Sequence, residues 1–135
     1  MLVIFSASTD LMSSRRTSRI IGPILRWFKP DISDETIRTV QLAIRKSGHF
    51  VEYAVLSLLV WRAIRKPVKN DARPWSRREA QLAVGASALY AVTDELHQYF
   101  VASRQASVWD GLIDVAGALA GMWLVWRRGR RRKQW

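Results

Sequence analysis

Residues 108–126 read VWDGLIDVAGALAGMWLVW and run straight into RRGRRRK at residues 127–133. After Asp114 the stretch is apolar on nearly every face, as expected of a helix surrounded by hydrocarbon. Trp123 and Trp126 then meet the arginines as an interfacial aromatic belt backed by a cytoplasmic anchor. Two other stretches have similar character: 48–64 (GHFVEYAVLSLLVWRAI) and 80–101. At 1.5 Å per residue the three reach about 25–33 Å, the thickness of a hydrocarbon core. The competing reading is a soluble helical bundle, since each stretch also carries polar residues.

Composition alone does not separate the two. The 135 residues suit one domain, 49% are hydrophobic, and the formal net charge is +11 with a pI of about 11.2. A soluble basic protein with these totals would suggest nucleic acid. Distribution favours a membrane protein with basic ends. Lys and Arg gather in residues 15–46, residues 62–78 and the tail, whereas from Glu79 to Trp126 the only one is Arg104. The aromatics do not interleave with the bases as stacking platforms would, so no nucleic-acid partner is expected. There are no cysteines, hence no disulfide framework and no thiolate metal site.

The bases also set an orientation. The loop Arg62–Arg78 holds seven Lys/Arg and the tail from Arg127 holds six, which places both in the cytoplasm. The 80–101 helix then runs outward, Ala102–Ser107 is an outer turn, and 108–126 returns to a cytoplasmic C-terminus. One distribution runs against this: residues 15–46 would lie outside with eight Lys/Arg against three Asp/Glu. Within 18–44, Ile20, Ile21, Ile24, Leu25, Trp27 and Phe28 suggest an interfacial amphipathic segment that Pro30 ends. Ser33 could cap a following helix with Asp34 and Glu35 in its first turn and Ile37, Val40 and Ile44 on one face.

Against this apolar background stand the ionisable residues. A charged side chain at the centre of a membrane helix costs about 2.5–3.5 kcal/mol on insertion scales, so such residues usually have partners and a function. His49, Glu52 and Tyr53 are three and four apart; so are Asp94, His97 and Gln98, with Glu95 adjacent; Asp110 and Asp114 open the returning helix. The orientation puts all three groups in the outer third of the bundle, forming one candidate polar pocket. Asp110, Asp114, Gly117 and Gly121 share a stripe. Its Gly117-Ala-Leu-Ala-Gly121 portion is a small-xxx-small contact, against which the 80–101 helix could bring its Asp94 face.

The segment Arg45-Lys46-Ser-Gly-His49-Phe-Val-Glu52-Tyr53, then Asp94-Glu95-Leu-His97-Gln98-Tyr-Phe100, then Arg104, Ser107, Asp110, Gly117 and Gly121 together resemble the VanZ-like family. These are small bacterial membrane proteins named for a teicoplanin-resistance protein. The resemblance covers most of the chain and implies an all-α polytopic bundle in the bacterial cytoplasmic membrane, with an envelope or glycopeptide-tolerance role. The family usually has four spans. Phe5-Ser6-Ala7-Ser8 is similar to the element closing its first span, so residues 1–8 read as the remnant of a truncated one. The expected organisation is a single domain, 1–135, with outer interfacial helices in 18–44, spans at 48–64, 80–101 and 108–126, and a basic tail at 127–135. The family often has Asn where this chain has Asp114, and Pro-Gly where it has Ala102-Ser103.

Three functions fit these residues. In the first, Arg45, Lys46 and Arg104 clamp a phosphate of a membrane lipid or lipid-linked envelope precursor. In the second, an intramembrane hydrolase or transferase uses Glu52 or Asp94 as base and His49 or His97 as acid. In the third, the polar layer only locks the helices of a structural or partner-binding protein. His49, Glu52, Asp94 and His97 have the residue types and spacing of metal ligands, but nothing fixes their geometry, and neither metal nor cofactor is expected.

Overall fold

The computed structural model describes residues 14–68, 71, 73–99 and 108–132. They form four α-helices and no strand: α1 Ser14–Phe28, α2 Asp34–Arg65, α3 Arg77–Tyr99 and α4 Val108–Arg131. The expected remnant at 1–8, the outer turn at 102–107 and the last residues of the tail lie outside the described residues. The chain divides into two compact units, Met1–Gly48 and His49–Trp135.

In the first unit, α1 ends just before Pro30, whose ring disfavours helical backbone at Lys29. The amide of Lys29 still donates to Leu25 O (2.9 Å) and closes the last turn. Ile20, Ile24 and Trp27 recur at helical spacing and are exposed, with Phe28 edge-on to Trp27. The Ser33 cap forms as its sequence suggests. Its Oγ accepts from Thr36 N at 3.2 Å, and Asp34 and Glu35 occupy the first turn. Along the face of Ile37, Val40 and Ile44, Ile37 is buried, Val40 half-buried and Ile44 exposed.

Helix α2 continues from Asp34 to Arg65 without a break between the 18–44 segment and the 48–64 stretch. Gly48 needs no positive φ and so does not terminate the helix. The stop comes at Lys66, whose φ of 46° is the left-handed turn of a helix C-terminus, followed by Pro67. Helix α3 begins with a cap that its sequence also encodes: Ser76 Oγ accepts from Glu79 N at 3.3 Å, the Ser-x-x-Glu pattern of a capping box. Helix α4 carries on into the basic tail as far as Arg131.

In the second unit the Gly117/Gly121 stripe packs on α2, not on the 80–101 helix as expected. A Cβ at Gly117 would collide with Phe50 O, and one at Gly121 with Ala54 O and Ser57 Oγ. Ser57 Oγ lies 2.9 Å from Ala118 O on α4 and 3.0 Å from Ala54 O, so its single proton serves both carbonyls. At the other end of this unit Trp61, Ala83 and Met122 form an apolar cluster, with Trp75 stacked on Trp61.

Beside that cluster lies a buried arginine that by sequence counts only as a loop charge. Arg65 donates from Nε to Asp71 (3.1 Å), from Nη1 to Glu79 (2.9 Å) and Pro74 O (3.2 Å), and from Nη2 to Arg73 O (2.6 Å). Its guanidinium also sits 5.6 Å from the Trp61 ring. Arg73 closes the arrangement by donating to Asp71 and to Arg65 O. Hydrogen bonds from Arg73, and then from Arg65, hold the Asp71 carboxyl well below the usual carboxylate range.

Among the described residues of the second unit, six polar or charged side chains, Ser57, Arg65, Ser87, Asp94, Asp110 and Asp114, are buried beside apolar ones such as Tyr53, Leu56, Trp61 and Met122. Leu59 on α2, Leu82, Leu89 and Val92 on α3, and Leu112, Leu119 and Leu124 on α4 are meanwhile more than half exposed. Among the described residues no helix is long and apolar enough to cross a membrane. The apolar part of α4 carries two acids, the buried Asp110 and Asp114.

Candidate functional site

The polar site lies in the second unit, where α2, α3 and α4 each contribute one face. On α2, His49, Glu52, Tyr53 and Ser57 follow one another at three- and four-residue steps. On α4, Asp110 and Asp114 continue the stripe of Gly117 and Gly121, so the close approach of the two backbones brings Asp114 against His49. The imidazole Nδ1 is 3.3 Å from Asp114 Oδ1, an ion-pair distance without the alignment of a directed hydrogen bond. Asp114 and Tyr53 are both fully buried.

Helix α3 adds Asp94, buried, and Tyr90 one turn earlier, whose ring centroid is 6.4 Å from that of Tyr53. Glu95 lies over Gly111 of α4, where an added Cβ would be 3.9 Å from its Cγ. Glu52, Asp94 and Asp114 act electrostatically on His49, and Asp94 and Asp110 act on Asp114. The structure thus brings His49, Glu52, Tyr53, Asp94, Glu95, Asp110 and Asp114 into one neighbourhood.

Other expected members stand apart. His97 is exposed. Arg104 lies outside the described residues, as does the side chain of Gln98. Arg45 and Lys46 belong to the first unit and are half-buried. Among the described residues no three His, Asp or Glu side chains gather as a metal centre requires.

Three contributors went unread in the sequence. Tyr90 falls four residues before Asp94, a spacing that could have marked it. Ser87 and Ser57 are buried but bond backbone carbonyls, Ser87 to Ala83 O at 2.9 Å, which masks them as polar residues. At the centre, Tyr53 Oη and Asp114 Oδ2 meet no hydrogen-bond partner among the described residues. Buried groups in that state are uncommon, and a bound polar molecule is one way they are satisfied. Chemically the layer holds acids, one imidazole and phenols. It is rich in acceptors and suited to hydroxyl or amine donors.

No curated protein and no solved structure matches the chain. Residues 1–129 match the family model described as VanZ/LLP1. A match running from residue 1 through all but the last residues of α4 makes this chain a member of the VanZ/LLP1 family.

Proposed function

We propose that this protein is a multi-pass component of the bacterial cytoplasmic membrane, with its C-terminus in the cytoplasm, that binds the headgroup of a phosphorylated lipid or cell-wall precursor in an outward-facing polar layer. A role in tolerance to glycopeptides of the teicoplanin type follows from sequestering such a target. The observation that carries the reading is the combination of buried acids, Asp94, Asp110 and Asp114, with a leucine-rich exposed surface. In water such a surface invites aggregation; in lipid it is the ordinary exterior of a bundle. Each helix needs to cross only as part of that bundle, because its charged residues face their neighbours.

The layer's chemistry refines the ligand. Three buried acids repel a bare phosphate but accept hydrogen bonds from sugar hydroxyls and amines. Tyr53 Oη and Asp114 Oδ2 offer unfilled positions for them. Half-buried His49, Glu52 and Glu95 stand where a headgroup would enter. Arg45, Lys46 and Arg104 are proposed as phosphate-binding cations from their positions in the sequence alone.

A second reading, an intramembrane hydrolase or transferase, draws on the His49–Asp114 pair. A buried carboxyl this close to an imidazole becomes a general-base pair once a hydrogen bond aligns the two. One experiment addresses both. Alanine at Glu52, at Asp94 and at Arg104 is expected to keep protein levels normal and to abolish teicoplanin tolerance in an expressing strain. Unchanged tolerance in all three variants contradicts a ligand site here. Turnover of a lipid-linked precursor by purified protein, lost in His49→Ala, selects the second reading.

A further inference from the structure

A groove of about 700 Å³ runs between α2 and α4, on residues that no part of the polar layer uses. Val51, Val55 and Leu58 line it from α2 and Leu124 from α4, and one end is bounded by Arg62 and Arg128. Val51 and Leu124 are more than half exposed and Val55 nearly so. The Arg62 and Arg128 side chains form no ion pair or hydrogen bond with any described residue. Asp71, the one acid of the lining, is already held by Arg65 and Arg73. The groove therefore has an apolar body and an uncompensated double positive charge at one end.

Its dimensions match half a bilayer. From Val51 to Arg62 is eleven residues of helix, about 17 Å, against about 15 Å for one leaflet of hydrocarbon. The charged end also carries the marks of a headgroup boundary. Trp61 and Trp75 stack there, and Arg127 and Arg130 lie 5.0 and 5.2 Å over the rings of Trp123 and Trp126. Basic pockets between helices at the cytoplasmic boundary hold anionic lipid headgroups by this combination.

We propose that the α2–α4 groove holds one anionic glycerophospholipid of the cytoplasmic leaflet, its acyl chain along Val51, Val55 and Leu124 and its phosphate between Arg62 and Arg128. The site's phosphate end, at Arg62 and Arg128, lies at the end of the unit opposite His49 and Asp114, while its acyl end at Val51 reaches the level of His49 without using a side chain of the polar layer. It rests on the membrane placement proposed above, but not on any ligand of the polar layer. A bound lipid there completes the packing between α2 and α4 where their own side chains leave a gap.

The test uses the full chain in neutral detergent, titrated with phosphatidylglycerol or phosphatidylcholine of matched acyl chains and read by native mass spectrometry. One phosphatidylglycerol per chain is expected, held about tenfold more tightly than phosphatidylcholine. Arg62→Gln with Arg128→Gln should abolish that preference; Arg62→Lys with Arg128→Lys should keep most of it. Arg130→Gln with Arg131→Gln, which removes the same charge from the tail, should leave it intact. Leu124→Trp, which fills the groove, should weaken both lipids. Equal loss in the Arg130/Arg131 variant contradicts the site, since a diffuse field would then suffice. No retained lipid of either kind also contradicts it. Resistance of each variant to alkaline carbonate extraction is read on the same cells. Loss of lipid preference without loss of membrane retention bears on the groove alone; release of the wild-type chain overturns the membrane placement.

Discussion

His49 Nδ1 stands 3.3 Å from Oδ1 of a fully buried Asp114, on a helix whose glycines let it approach that closely. The carboxylate and the imidazole depend on each other unequally. Removing His49 leaves a fully buried acid without its neighbouring imidazole, whereas Asp114→Asn leaves only a partly exposed imidazole. His49→Ala is therefore expected to cost about 1–3 kcal/mol, the range for a buried polar group left unsatisfied, and Asp114→Asn less. Chemical unfolding in detergent with a double-mutant cycle measures both; additive single effects would mean that the pair is not coupled.

Gly117 is the point where α2 and α4 cannot separate without consequence. A Cβ there meets the backbone carbonyl of Phe50, which cannot swing aside as a flexible side chain could. Gly117→Ala should destabilise by about 2–3 kcal/mol, the upper part of the overpacking range. At Gly85 on α3 a Cβ meets nothing within 4 Å, so Gly85→Ala should stabilise by up to about 1 kcal/mol through helix propensity. Unfolding midpoints of the two variants should shift in opposite directions.

Arg65 commits its guanidinium to two carboxylates and two carbonyls while almost wholly buried. Lysine supplies one ammonium in place of that fork, so Arg65→Lys is not conservative. A loss of about 3 kcal/mol is expected, with Glu79 and the carbonyls of Arg73 and Pro74 left short of donors as its source. Limited proteolysis between residues 66 and 76 should accelerate in the variant while cleavage elsewhere stays unchanged.

Asp71 gives a pH dependence of definite sign. Its folded pKa lies below the unfolded value of about 3.9 because Arg73 and Arg65 bond the charged form. The stabilisation is therefore complete above pH 4 and is lost as pH falls through the folded value. Acid titration of unfolding should show wild type and Asp71→Asn differing by a constant amount above about pH 4 and converging as the pH falls below it. A constant difference at all pH values would mean that the carboxylate charge is not what matters.

Much of the candidate site is legible in the sequence, because charges set at helical spacing inside apolar stretches are too costly to persist without partners. His49, Glu52, Asp94 and Asp114 stand out in this way. The glycine stripe is legible too, but not its partner. A small-residue face says that a helix comes close without saying which, and the structure puts Phe50 and Ala54 of α2 there. The length of α2 is hidden by Gly48, which suggests a boundary yet costs only about 1 kcal/mol within a helix. The Arg65 arrangement cannot be read locally, since two of its acceptors are carbonyls at positions 73 and 74. Serines bonded to carbonyls, such as Ser57 and Ser87, give no signal of burial at all.

The central claim is that the leucine-rich exterior of α3 and α4 faces lipid while the acids face inward. The chain has no native cysteine, so single cysteines can be introduced at Leu89 and Leu119 and spin-labelled in reconstituted vesicles. Power-saturation measurements should then show both labels relaxed strongly by oxygen and weakly by a water-soluble nickel chelate. Stronger relaxation by the chelate at both positions would contradict the claim and place that surface in water.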